Sequence, residues 1–99
     1  MQPKILDSNS CEFCKLQKVA EIIEKKCNNT IKCVIEEVYF DYGQNWIWTT
    51  IVATRKVDGS HWQMLYPPIW EEILMTNRDS ELEQIADSII ANQTKLIFR

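Results

Sequence analysis

Glycine is scarce in this chain: the 99 residues include two, Gly43 and Gly59. Phosphate-cradling loops need glycines clustered within a few positions, so nucleotide binding of the P-loop or dinucleotide type is excluded. Histidine occurs once, as His61 beside the Asp58-Gly59 dipeptide. Neighbours in a tight hairpin do not assemble a nucleophile, base and acid, so a solvated side chain is expected there. No apolar run approaches the roughly 18 residues of a membrane span. Met1 to Ser10 lacks the basic-then-apolar layout of a secretion signal, and an intracellular location is expected. Positive charge is not in excess either. The net charge of −3 argues against general attraction to a nucleic-acid backbone or an anionic membrane.

What remains is an ordinary globular composition, 45% apolar and 25% charged, sized for a single domain over residues 1–99. A chain this short buries only about 60–70% of the surface its unfolded form exposes, so its stability margin is thin. Two abundances stand out, four tryptophans and four cysteines. Tryptophan is costly to bury completely and common at contact surfaces, so its placement carries information.

The spacing predicts a helix from about Glu12 to Lys26. Phe13, Leu16, Ala20, Ile23 and Cys27 recur at three- and four-residue steps, and Val19 and Ile22 widen the stripe. Asn9 or Ser10 can cap it, Glu12 sits three after Asn9 as in a capping box, and Lys25 and Lys26 suit the negative end of the helix dipole. Asn28 and Asn29 supply turn residues that tolerate positive φ. Three runs rich in β-branched and aromatic residues follow: Thr30 to Tyr42, Trp46 to Val57 and Ser60 to Tyr66. Asp58-Gly59 signals a two-residue hairpin loop, and Gly43-Gln44 a second one. After Tyr66-Pro67-Pro68, a short helix holding Ile69, Trp70, Ile73 and Leu74 is predicted. A further helix runs from a Ser80–Glu83 capping box through Leu82, Ile85, Ala86, Ile89 and Ile90 to about Asn92. Lys95 to Arg99 is available as a last edge strand. The fold class is α+β: an antiparallel three-stranded meander, extendable to four or five strands by the termini. It packs against one N-terminal and one or two C-terminal helices.

The loops set a register, and the register sorts the faces. It pairs Val57 with Ser60, Arg55 with Trp62, Ala53 with Met64 and Ile51 with Tyr66, then Phe40 with Ile47 and Val38 with Thr49. One face thus collects Val38, Phe40, Ile47, Ile51, Ala53, Trp62, Met64 and Tyr66 as the core. A bulge at Glu36-Glu37 brings Ile35, Cys33 and Ile31 round to it. The opposite face carries Tyr39, Trp46, Trp48, Val52 and Leu65 among polar Asp41, Thr54, Lys56, His61 and Gln63. These five are the interface candidates, unless helices or the N-terminal segment cover them as a second core layer.

Cys11, Cys14, Cys27 and Cys33 have spacings that resemble a zinc site on paper. Helix rise would separate Cys14 from Cys27 by roughly 20 Å, too far for one metal, and no metal or cofactor is expected. The disulfide candidates left by geometry are the local pairs, Cys11 with Cys14 and Cys27 with Cys33; plain buried thiols are the other reading. The Cys11-Glu12-Phe13-Cys14 motif at a helix N-terminus opens a thiol-redox alternative. Glu36-Glu37 and Glu71-Glu72 are adjacent carboxylates. Neighbours on a strand point to opposite faces, so neither pair is expected to converge into a catalytic site. Lys15, Lys18, Lys25 and Lys26 alternate with acids on the first helix, which reads as a solvated face and makes weak nucleic-acid binding a second alternative.

The small size, the isoleucine and asparagine content, the cysteines without a metal pattern and the run Tyr39-Phe40-Asp41-Tyr42-Gly43-Gln44-Asn45-Trp46 resemble a known group. They look like the small uncharacterised proteins of archaeal filamentous and rod-shaped viruses, of the lipothrixvirus and rudivirus type. The resemblance implies a heat-stable viral protein in the cytoplasm of a hyperthermophilic host, where disulfides become plausible. It carries over no site residues. Some small proteins of such viruses bind host defence complexes. The function expected is therefore a non-enzymatic interaction protein acting through the aromatic face, by homodimer stacking or by binding a host protein.

Overall fold

A computed structural model describes residues 4–41, 43–64 and 69–97. The elements run β1 (Lys4–Leu6), α1 (Cys11–Lys26), β2 (Ile31–Asp41), β3 (Trp46–Arg55), β4 (His61–Met64), β5 (Ile69–Trp70), α2 (Glu71–Leu74) and α3 (Asp79–Ile97). All strand pairs are antiparallel, in the order β1-β2-β3-β4, with β5 also pairing with β3. The class is α+β.

Helix α1 starts one residue earlier than the apolar spacing predicts. Ser10 is its cap, its side chain accepting from the Phe13 amide at 3.1 Å. Glu12 is therefore at the second helical position, one short of the reach a capping box with Asn9 would need. Leu16, Val19, Ala20 and Ile23 are buried, while Phe13 and Ile22 pack at the core's margin. Asn28 and Asn29 turn the chain at φ of 56° and 58°, the left-handed region asparagine tolerates.

The first hairpin keeps the predicted register, with Val38 opposite Thr49, Tyr39 opposite Trp48, Phe40 opposite Ile47 and Asp41 opposite Trp46. Its loop is longer than Gly43-Gln44. The ladder closes at Asp41–Trp46, and Asn45, at φ 56°, donates its amide to the Asp41 carbonyl at 2.8 Å. The second loop repeats this geometry. Gly59, at φ 74°, donates to the Arg55 carbonyl at 2.8 Å, and Arg55 N–H donates to Ser60 O at 2.7 Å. Lys56 to Gly59 thus form a four-residue loop where a two-residue one was predicted.

That correction moves the β3–β4 register by two. Ile51 faces Met64, Val52 faces Gln63, Ala53 faces Trp62 and Thr54 faces His61. The predicted pairs Val57–Ser60, Arg55–Trp62, Ala53–Met64 and Ile51–Tyr66 are all displaced. Because side chains alternate with period two, an even slip leaves the described residues of this pair, Ala53 and Trp62 among them, on their predicted faces. The bulge lies where expected, between Ile35 and Val38. Thr49 Oγ1 donates to the Glu37 carbonyl there at 2.9 Å. Ile31, Cys33 and Ile35 are buried with Val38, Phe40, Ile47, Ile51 and Ala53.

Three other predictions are corrected. Ile69 and Trp70 are a strand and not the first turn of a helix. They pair with Ile47 and Trp46 on the length of the β3 edge that β4 leaves open, Ile69 buried and Trp70 outward. The edge supplies backbone partners that a two-turn helix would have to find alone. Helix α3 begins at Asp79, which puts Ser80 inside it, so the Ser80–Glu83 capping box does not form. It continues through Ile97, so the predicted strand Lys95–Arg99 is helical over its first three residues; the last two lie outside the described residues. The fourth strand of the path is N-terminal, β1 against β2.

The helices gather on one side of the sheet. Helix α1 packs on β2 and α3, and α2 on α1 and β5, around one continuous apolar cluster. Polar ties fasten this layer: Lys15 Nζ donates to Thr76 O at 2.7 Å, and Lys26 meets Asp87 at 3.0 Å. Glu24 Oε2 accepts the Cys33 amide at 2.8 Å, so a helix carboxylate covers part of the β2 edge that β1 does not reach.

Candidate functional site

The outer face of the sheet follows from the same alternation. Tyr39 and Trp48 stack across β2 and β3 with ring centroids 5.7 Å apart and planes 20° from parallel. Such a pair contributes about 0.5–1.5 kcal/mol beyond area burial. Tyr39, Trp46, Trp48 and Val52 are each half-buried, and none joins the apolar cluster beneath the helices. Leu65, the fifth candidate, lies outside the described residues.

Three residues extend the patch beyond the candidates read from sequence. Ile5 pairs with Tyr39 from β1 and is 56% exposed, and Trp70 pairs with Trp46 from β5 and is 54% exposed. Val34, opposite Val52, is also exposed. Two of them were hidden for the same reason: a three-residue strand and a two-residue strand show no period of their own. Val34 has the parity of the buried Val38 and Phe40, and the bulge between them turns it outward.

The bulge changes the carboxylate reading. Glu36 and Glu37 do not diverge to opposite faces; both line one small pocket with Tyr39 and Thr50. Two residues opposing one on the partner strand lose the alternation that would have separated them. The Tyr39 hydroxyl donates to Glu37, and this bond raises the phenol's pKa. Beyond Trp46 on the same strand, Trp70, Glu72, Gln44 and Asn45 line a second cleft of about 470 Å³.

The thiols divide into two pairs, all four free. Cys11 and Cys14 are exposed at the start of α1. Cys27 and Cys33 are buried at its far end, on opposite sides of the Asn28-Asn29 turn. Burial pushes the Cys33 thiol up to about 12, with the neighbouring Glu24 charge and Cys27 adding to it, and burial raises Cys27 as well. The intact helix keeps the two pairs about 20 Å apart by its rise alone, so they cannot share a metal. Strand β1 does precede the Cys11–Cys14 motif, but it runs antiparallel to β2, unlike the parallel βαβ setting of thioredoxin-like sites. His61 is exposed in its hairpin.

Of the four α1 lysines, Lys15 and Lys26 are committed to contacts with Thr76 and Asp87. Among the described residues, no helix is long and apolar enough to cross a membrane. The chain matches no protein-family model, no curated protein and no solved structure.

Proposed function

We propose that this chain is a non-catalytic interaction protein that docks another protein on its outer sheet face. The observation that carries this reading is the row of aromatics left at the surface. Tyr39, Trp46, Trp48 and Trp70 lie side by side on a face that no described helix covers. Monomeric proteins seldom leave such a patch to water, and tryptophan and tyrosine dominate binding hot spots. The resemblance noted in the sequence makes a host protein, met inside the cell, the natural heterologous partner.

The test is Trp48→Ala. It weakens self-association in sedimentation velocity, or retention of a purified partner, while urea unfolding stays cooperative. A variant that unfolds outright would make Trp48 a core residue and end the proposal.

A second reading has one observation in its favour, the paired exposure of Cys11 and Cys14 in a single helical turn. A thiol-redox role would make them interconvert with a labile disulfide. Intact-mass measurement across a glutathione redox series that finds neither a two-proton mass loss nor a mixed disulfide removes that reading.

A further inference from the structure

The docking face carries a charge pattern that narrows its partner. Its aromatic row is bounded at one end by the pocket holding Glu36 and Glu37, and at the other by the cleft holding Glu72. Asp41, opposite Trp46, adds a further carboxylate beside the row. Among the described side chains, no lysine or arginine lines either pocket. The face's lysines lie at its far end, beyond the bulge: Lys32 opposite Thr54, and Lys56 in the loop after β3, its amide on the Thr30 carbonyl.

This arrangement disfavours a second copy of the chain as the occupant. Stacking two such faces brings at least eight carboxylates to one interface with, among the described side chains, Lys32 and Lys56 of each copy to offset them. A cationic segment has the opposite sign to the charges at both ends of the aromatic row. Lysine and arginine also gain from resting on indole faces, the more so as the contact becomes desolvated. Guanidinium groups can pair with a carboxylate in two parallel hydrogen bonds.

We infer that the outer face binds an extended basic segment of another protein, with one cationic side chain at Glu36/Glu37 and a second at Glu72/Trp70. The inference rests on the docking role proposed above. Glu36 and Glu37 on β2 and Trp70 on β5 flank β3, offset by four residues along it, from Thr50 to Trp46, or about 13 Å, and by two strand spacings across it, or about 10 Å. An extended segment covers the distance of about 13 Å in four of its own residues, with both side chains on one side, and the length of lysine or arginine side chains takes up the lateral offset. The bound segment therefore carries arginine or lysine at positions i and i+4, with an apolar residue at i+2 lying over Tyr39, Trp48 and Trp46.

The test uses a short dye-labelled peptide with two arginines four residues apart, separated by Thr-Val-Thr so that the valine shares their side, in anisotropy titrations at low and moderate salt. The expected result is saturable binding that weakens with salt. Trp70→Ala weakens it about tenfold, as hot-spot truncations do. The double variant Glu37→Gln/Glu72→Gln does likewise and flattens the salt dependence. The peptide with both arginines replaced by glutamate does not bind. Cooperative thermal unfolding of each variant shows that the fold is kept, as the exposure of these side chains leads one to expect.

Equal binding of basic and acidic peptides, both weakened by Trp70→Ala, would overturn the charge inference and leave the docking face standing. Binding of the basic peptide that Trp70→Ala and the double variant leave unchanged would place it elsewhere and overturn the inference. Failure of the wild-type protein to bind the basic peptide overturns it as well, and the Trp48→Ala experiment then judges the docking role independently.

Discussion

The two faces of the sheet are built from the same strands and hold different kinds of residue. Inside, β2 and β3 present Ile31, Cys33, Ile35, Val38, Phe40, Ile47, Ile51 and Ala53, all buried against α1, α2 and α3. Outside, the alternate positions present Tyr39, Trp46, Trp48 and Val52, half in water. Branched aliphatics have few rotamers and no polar atoms, so they suit a close-packed interior. Indole and phenol rings keep a polar edge and a stacking surface, which suits a face that is wet until something docks on it. The contrast separates what holds this protein together from what it presents to others.

Removing the device that sorts the faces is the most drastic way to break the contrast. Deleting Glu37 removes the extra residue of the bulge, so either Ile31, Cys33 and Ile35 or Val38 and Phe40 must turn outward. Cooperative unfolding and near-ultraviolet circular dichroism are expected to disappear. Retention of both would mean that the bulge does not set the faces.

Single side-chain truncations sharpen the comparison. Ile51→Ala, at a position 1% exposed, is expected to cost about 3–4 kcal/mol in urea unfolding. Trp48→Ala on the same strand should cost about 2 kcal/mol, from its stack on Tyr39 and the half of the indole that is buried. Equal costs would make the outer face a second core.

The thiols probe inside against outside through pH. Cys33 is held above its ordinary pKa in the folded chain and returns to it on unfolding, so its stabilising effect is full below about pH 9. That effect is lost as pH rises from there toward about 12. Urea midpoints of the reduced protein should fall on this limb, and fall less in Cys33→Val. In native protein at pH 8, Cys11 and Cys14 should react with a thiol reagent in a fast phase, and Cys27 and Cys33 only on unfolding.

The smallest effect concerns the loops. Gly59→Ala meets no atom within 4 Å of the added carbon, so its cost, about 1 kcal/mol, is the positive φ alone. Asn45→Gly, at the equivalent point of the other hairpin, should be near neutral by the same measurement.

Much of the fold was legible because its signals are local or periodic. The α1 stripe, the Asn28-Asn29 turn, the bulge and the first hairpin register follow from residue chemistry within a few positions. Both loops were read two residues too short. The faces survived because the resulting slip in the second hairpin was even and the first register did not change. The docking site was legible only in part. Tyr39, Trp46 and Trp48 came from alternation along long strands, whereas Ile5 and Trp70 sit in strands of three and two residues that exist because β2 and β3 offer them an edge.

Sequence by itself determined the elements that depend on neighbours along the chain: the amphipathic helix, the long alternating strands, the places where they turn, and the separation of Cys14 from Cys27. Tertiary structure alone decided which strand edges remained open for β1 and β5. It also decided that Glu36 and Glu37 share a pocket, and that Trp70 joins the aromatic row. Periodicity reports what a segment buries, but pairing of short strands and convergence of side chains are set by partners distant in sequence. Those partners leave no mark on the local pattern.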